Sequence, residues 1–136
     1  MPIEIRRFIP DDIDYIIDIL KVNGQYDHPK VEGPEAMLRI AECDAAIFLV
    51  AERDSKIIGC IRATYDGSRA MIHLLSVHPE YQHRGVGTNL VESIIKILND
   101  RGAPTVSVTA TSSSKGFWNK LGFAEIPVFL MLKPTC

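Results

Sequence analysis

The stretch Val77-His78-Pro79-Glu80-Tyr81-Gln82-His83-Arg84-Gly85-Val86-Gly87-Thr88 lies between two different hydrophobic patterns. An apolar run, Ala70 to Val77, leads into it, and Val86, Leu90, Val91, Ile94, Ile95 and Leu98 leave it at helical spacing. The unit is therefore a strand, a Pro-containing turn, and a Gly-spaced loop that opens a helix. A strand feeding a helix in this way needs a sheet for the strand to join and a face for the helix to cover, which points to an α/β fold. Gly85 and Gly87 allow close approach to the backbone, and the first turn of the helix offers free N–H groups and the positive end of its dipole. Such a loop suits a phosphate or pyrophosphate, and Arg84 could set a cation beside it.

Two common phosphate binders are excluded. No G-x-x-x-x-G-K-[ST] string occurs, and the dinucleotide pattern G-x-G-x-x-G fails at Leu90. Gly85-x-Gly87 alone also fits a plain glycine-capped connection between strand and helix.

The rest of the chain reads as alternating elements. Pro2 to Phe8 alternates as an edge strand, and Pro10-Asp11-Asp12 opens a helix bearing Ile13, Ile16, Ile17 and Leu20 that Asn23-Gly24 stops. Residues 24–33 read as a loop, and Pro34 begins a short helix with Met37, Leu38 and Ala41. Ala45 to Ala51 and Lys56 to Tyr65 form a hairpin around Arg53-Asp54-Ser55, and Asp66-Gly67 turns into Ala70–Val77. Thr105 to Ala110 is a β-branched strand, Ser113 to Leu121 a short helix closed by Gly122, and Phe123–Glu125 and Val128–Leu132 close the sheet. The order βααβββαβαββ predicts one twisted sheet with helices on both faces.

At 136 residues, a single domain over 1–136 is expected. Net charge of −2 argues against a nucleic-acid partner held by phosphate neutralisation. No apolar run is long enough for a membrane span, and no signal peptide is apparent. Cys43, Cys60 and Cys136 lack paired or zinc-type spacing, so free thiols, a cytoplasmic location and no metal site are expected, with Cys43 and Cys60 in the core.

Gln82-His83-Arg84-Gly85-Val86-Gly87 resembles the Q/R-x-x-G-x-G/A loop of the GCN5-related N-acetyltransferases, and Leu75-Ser76-Val77-His78-Pro79 resembles the strand end before it. Phe117-Trp118-Asn119-Lys120-Leu121-Gly122-Phe123 resembles the family's later F-Y-x-x-x-G-F segment, with Trp in the Tyr position. Tyr65-Asp66-Gly67 looks like a turn of its small members. The resemblance implies a mostly antiparallel sheet of about six to seven strands whose fourth and fifth strands splay apart. It implies acetyl-coenzyme A as co-substrate and a primary amine, on a small molecule or a peptide, as acceptor. A homodimer is one state that relatives adopt. Carried over by position, the backbone of Leu75, Ser76 and Val77 would hold the pantetheine arm and acetyl carbonyl. Gln82, His83, Arg84, Gly85, Val86, Gly87 and Thr88 would hold the pyrophosphate. Main-chain contacts dominate this scheme, so the side chains of Ser76, Val86 and Thr88 should matter little.

The reaction so implied is attack of a neutral amine on a thioester, which profits from a base and an acid. The family's usual acid is the Tyr of the second motif. Trp118 stands there, and an indole is a donor only, not an acid. Tyr81 is an alternative acid, against a packing role beside Pro79. His73 is the base candidate: by the period of two, Met71, His73, Leu75 and Val77 share one face of their strand, and imidazole has a suitable intrinsic pKa. Tyr26, Asp27, His28 and Glu32 are polar candidates on the acceptor side. The competing function is a coenzyme A-binding module with weak or no catalysis, which the missing Tyr favours.

Overall fold

The computed structural model describes residues 2–135. Five strands form one sheet in sequence order: β1 (Glu4–Arg7), β2 (Ala46–Arg53), β3 (Lys56–Tyr65), β4 (Ala70–Val77) and β5 (Val106–Val108). The first four pair antiparallel, and β4 pairs β5 in parallel. The β2–β3 hairpin turns through Asp54 and Ser55, both at positive φ (52° and 64°), the handedness that matches the twist of the flanking strands.

Helices cover both faces. On one side α1 (Ile13–Val22) and α3 (Pro34–Ala41) bring Ile16, Ile19, Leu20 and Met37 onto Phe48, Val50, Cys60 and Leu74. On the other, α4 (Val86–Asp100) sets Leu90, Val91, Ile94 and Leu98 on Ile47, Leu49, Ile61 and Ile72. Periodicity identifies the α4 stripe and most of the α1 stripe, because a helix on a sheet must bury one face, whereas α3 buries Ala36 and Met37 and leaves the expected Leu38 and Ala41 exposed. The short α5 (Lys115–Lys120) adds Trp118 to the α4 side. Asp12, only 3% exposed, is held by the Arg6 guanidinium at 2.9 Å and by the Ile9 N–H at 2.9 Å. Arg6 reaches on to Glu52 at 2.6 Å, so one cation ties β1, the start of α1 and β2 together.

Several expectations need correction. The segment 24–33 is not all loop: α2 spans Pro29–Glu32, started by a proline whose missing N–H costs nothing at a helix start. Cys43 is exposed, whereas Cys60 is buried and its thiol is pushed up to about 12 by burial; Cys136 lies outside the described residues. The sheet has five strands among the described residues, not six to seven. Phe123–Glu125 and Val128–Leu132 do not pair. Phe123 donates its N–H to the Trp118 carbonyl (3.1 Å) and rests its ring on that indole, which pins the chain at the end of α5. Pro127 then removes a ladder donor, and Val128 to Leu132 run out exposed.

Leu90 is fully buried under β3. Leu90→Ala should lower unfolding stability by about 2–5 kcal/mol through lost burial and a residual cavity. A denaturation midpoint unchanged at equal slope would contradict the placement of α4.

Candidate functional site

The sheet opens where β4 and β5 part. Their parallel ladder holds Ala70 to Val106, Met71 to Ser107 and Ile72 to Val108, and it ends there while β4 continues to Val77. From His73 onward the outer edge of β4 has no strand partner among the described residues. The His78 N–H donates to the Ile58 carbonyl on the β3 side. Main-chain groups alternate along an antiparallel strand, so those of Leu75 and Val77 face away from β3, toward the opening.

Side-chain amides already occupy the carbonyls on this edge. The Val77 carbonyl accepts from Asn23 Nδ2 and from Gln82 Nε2, each at 2.9 Å. The Leu75 carbonyl accepts a longer bond from Gln25 Nε2 (3.4 Å). With the carbonyls engaged, the edge presents N–H donors to whatever enters. Ser76, 3% exposed, faces α1 and ties the set together. Its hydroxyl donates to Gln25 Oε1 (2.6 Å) and accepts from Asn23 Nδ2 (2.8 Å). The Ser76 side chain therefore matters, contrary to the expectation that only its backbone would. Asn23 and Gln25 were legible only as a helix stop and a loop, since nothing local reveals a partner fifty positions away on β4.

Beside this edge lies the loop 82–88. His83 and Gly85 both take left-handed conformations (φ 63° and 86°); for His83 that costs about 1–3 kcal/mol of local strain. The first α4 hydrogen bond runs from Asn89 N–H to the Gly85 carbonyl, so the N–H groups of Val86, Gly87 and Thr88 have no intrahelical acceptor. A Cβ on Gly85 would meet no atom within 4 Å, so space stands open there. Gly87 has a different duty. A Cβ there would lie 3.3 Å from the Phe117 ring, so this glycine lets α5 pack on α4. The Val86 side chain is core, whereas Gln82, His83 and Arg84 are exposed at the rim. The Arg84 guanidinium sits over the Tyr81 ring (5.9 Å), with Arg53 at 5.8 Å from the same ring.

His73 is not on the face expected. Arg62 pairs with Leu74 but Ala63 pairs with Ile72, so His73 is the extra residue of a β-bulge. The bulge resets the alternation. Ile72, Leu75 and Val77 pack toward α4, whereas Leu74 packs toward α1. His73 projects exposed beside Thr64, with Nε2 and Oγ1 2.7 Å apart, on the side of Arg62 and Glu32. Arg62, 8% exposed, is held by both oxygens of Glu32 at 3.1 and 3.2 Å. A groove of about 370 Å³ runs from Arg62 and Thr64 past Ala46 and Cys43 to Lys30 and Arg39. Of the four polar candidates on the acceptor side, Glu32 alone joins this group. Tyr26 packs with the α1-side core under Lys21, and Asp27 and His28 are exposed.

Trp118 is 6% exposed and meets Phe117 and Phe123 edge-on, with ring centroids 5.0 and 5.2 Å away. It is a core residue beside the opening. Tyr81 stands between its two arginines and the edge of His78.

A family model described as "Acetyltransferase (GNAT) family" matches residues 13–123. Among solved structures, the chain is similar to a PaiA N-acetyltransferase from Thermoplasma acidophilum in complex with coenzyme A (24% identity, 95% and 94% of the two chains, TM-score 0.84). It is also similar to the aminoglycoside N-acetyltransferase AAC(6')-Iy in complex with a coenzyme A bisubstrate analogue (15% identity, 100% of both chains, TM-score 0.82). A third is glucosamine-6-phosphate N-acetyltransferase from Arabidopsis thaliana (16% identity, 100% of both chains, TM-score 0.78). At these identities the likeness establishes the shared fold.

Partial desolvation of the half-covered imidazole, and next the Arg62 charge, hold His73 below its ordinary value of 6.5, with Glu32 opposing. The unfolded chain then binds this proton more readily than the folded one. The resulting stability is complete above the ordinary histidine pKa and is lost as pH falls through the lower folded value. An NMR titration should give a His73 midpoint below 6.5, and His73→Gln should flatten that part of the stability–pH curve. A midpoint at or above 6.5 would contradict the crowding of the bulge.

Proposed function

The chain belongs to the acetyltransferase (GNAT) family, and we propose that it transfers the acetyl group of acetyl-coenzyme A to a primary amine by direct attack. One observation carries the reading: the β4–β5 ladder stops after Ile72 and Val108, leaving a donor-rich strand edge beside a loop of unpaired N–H groups. An arm built of amides and ending in a thioester needs donors along its length and an anion seat at its far end. The N–H groups of Leu75 and Val77 suit the first need. Those of Val86, Gly87 and Thr88, with the open space at Gly85 and the rim residues Gln82, His83 and Arg84, suit the second.

In the proposed reaction the amine nitrogen forms a bond to the thioester carbonyl carbon, and the carbon–sulfur bond then breaks with its electrons leaving on sulfur. A main-chain N–H of the β4 edge donates to the carbonyl oxygen as negative charge grows there. His73 takes the proton the amine must lose. Its lowered pKa keeps the imidazole neutral near pH 7, the form a base requires. The burial of Trp118 favours departure of sulfur as the thiolate without an acid from position 118. The surroundings of Tyr81, two guanidiniums on one ring, fit packing better than proton donation. The same burial of Trp118 favours, as a second reading, a carrier-binding domain of low turnover. A cytoplasmic setting is consistent with the free thiols of Cys43 and Cys60.

Two outcomes test this account. Gly85→Asp should abolish coenzyme A binding by calorimetry, while Gly85→Asn, similar in size but uncharged, should weaken it far less. Equal affinities for the two variants would refute the anion seat. With acetyl-coenzyme A and a panel of amines, the wild type should release free thiol, and His73→Ala should lose the acid limb of the rate profile at unchanged coenzyme A affinity. Binding without thiol release would establish the carrier-binding reading, and an unaltered profile would remove His73 as the base.

A further inference from the structure

The groove beside the β-bulge has a charge of its own. Its walls are mainly apolar, from Val31, Ala36, Ile40 and Ala46, and its volume is about 370 Å³. That is the lower end of small-molecule sites, roughly 300–1,000 Å³, so it suits one small molecule rather than a folded partner. Lys30, Arg39 and Arg62 line it and no carboxylate does, in a chain whose net charge is −2. Arg62 is already neutralised by both oxygens of Glu32. Lys30 and Arg39 make no salt bridge among the described residues.

The chain builds this arrangement locally. Lys30 and Glu32 stand two positions apart on α2, so they turn to different sides: Glu32 goes in to Arg62 and Lys30 stays exposed on the groove. Ala36, Arg39, Ile40 and Cys43 recur at three- and four-residue spacing, which puts them on one stripe of α3 and the turn after it. Between the two helices, a Cβ on Gly33 would lie 2.3 Å from the Pro29 carbonyl oxygen, so this close joint needs glycine. Exposed cations are ordinarily solvated and contribute little. These two differ because they edge an apolar hollow that also contains Thr64, whose Oγ1 lies 2.7 Å from His73 Nε2.

We propose that this groove selects the acceptor, a small aliphatic amine whose far end carries a carboxylate or phosphate, with Lys30 and Arg39 on the anion and the amine at Thr64 and His73. The inference rests on the acetyl-transfer reading for the choice of reacting atom. The transfer itself is unchanged: nitrogen gains the acetyl carbon, sulfur leaves with the bonding pair, and the amine's proton passes to His73. The apolar walls suit the carbon chain, and the guanidinium of Arg39 suits an oxyanion of either kind. The two anions of the reaction stay apart. From His73 to Val77, where the phosphate loop begins, β4 spans about 13 Å, which exceeds the screening length in physiological salt.

Aminohexanoate, aminohexyl phosphate, hexylamine and hexane diamine test the selection, because they share one carbon chain and differ only at the end remote from the nucleophile. At low salt, kcat/KM should fall from anionic to neutral to cationic amines. Aminohexanoate should exceed hexylamine by on the order of tenfold, the scale of two exposed ion pairs. Added salt should narrow the gap. Either anion at the head of the order supports the proposal, and the leader identifies the preferred one. Lys30→Glu with Arg39→Glu should reverse the order at unchanged coenzyme A affinity. Cys43 gives a readout that needs no turnover, since it is exposed and lines the groove. Aminohexanoate alone should slow its alkylation by iodoacetamide, followed by peptide mass spectrometry, and hexane diamine should not. Cys43 protection without acetylation of any amine would uphold the groove and sink the transfer reading. Acetylation that ignores the far end, a preference for the diamine, or a double variant that keeps the wild-type order would overturn the groove and leave transfer standing.

Discussion

The early end of the β4–β5 ladder is the constraint on which the rest of the site depends. Parallel pairing over three residues is enough to seat β5, and it leaves the second half of β4 with main-chain groups turned to an open edge. A bare strand edge ordinarily attracts other strands. Here the side-chain amides of Asn23, Gln25 and Gln82 take its carbonyls and leave its N–H groups, converting a general pairing edge into a row of donors. The loop that follows points further N–H groups at a neighbouring spot, with left-handed His83 and Gly85 setting the path of the chain. Both halves of the proposed carrier seat are thus made of backbone, positioned by side chains that do not themselves carry the chemistry.

The opposite face of the sheet supplies polarity. The bulge at His73 rotates that side chain toward Thr64 and the Arg62–Glu32 pair while returning Leu75 and Val77 to the α4-side core. Without the extra residue, His73 would share a face with Leu75 and would compete with apolar packing. Arg62 is nearly buried and can be so only because Glu32, at the end of α2, meets it with both oxygens. The short helix that the loop 24–33 conceals therefore has an electrostatic task.

Much of this was legible in the sequence. The strand–loop–helix unit, the α1 and α4 faces and the hairpins follow from periodicity and turn residues, because each is decided within a few positions. The family follows from the two motif blocks. What the sequence hid depends on distant partners. The period of two put His73 beside Leu75, and only the pairing of β3 with β4 reveals the inserted residue. Ser76 looked interchangeable until Asn23 and Gln25 met it. Gly87 looked like a place for a ligand, yet Phe117 fills it. The apolar pattern at 128–132 is strand-like, yet these residues pair with no strand among the described residues, because Phe123 is pinned to Trp118 and Pro127 follows.

The central claim is that main-chain donors of an unzipped strand edge receive a thioester carrier. Residue-resolved hydrogen exchange, with and without saturating coenzyme A, tests it most directly. The account predicts marked slowing at the amides of Leu75, Val77, Val86, Gly87 and Thr88. Coenzyme A binding that leaves the Leu75 and Val77 amides exchanging at their unliganded rates would contradict it.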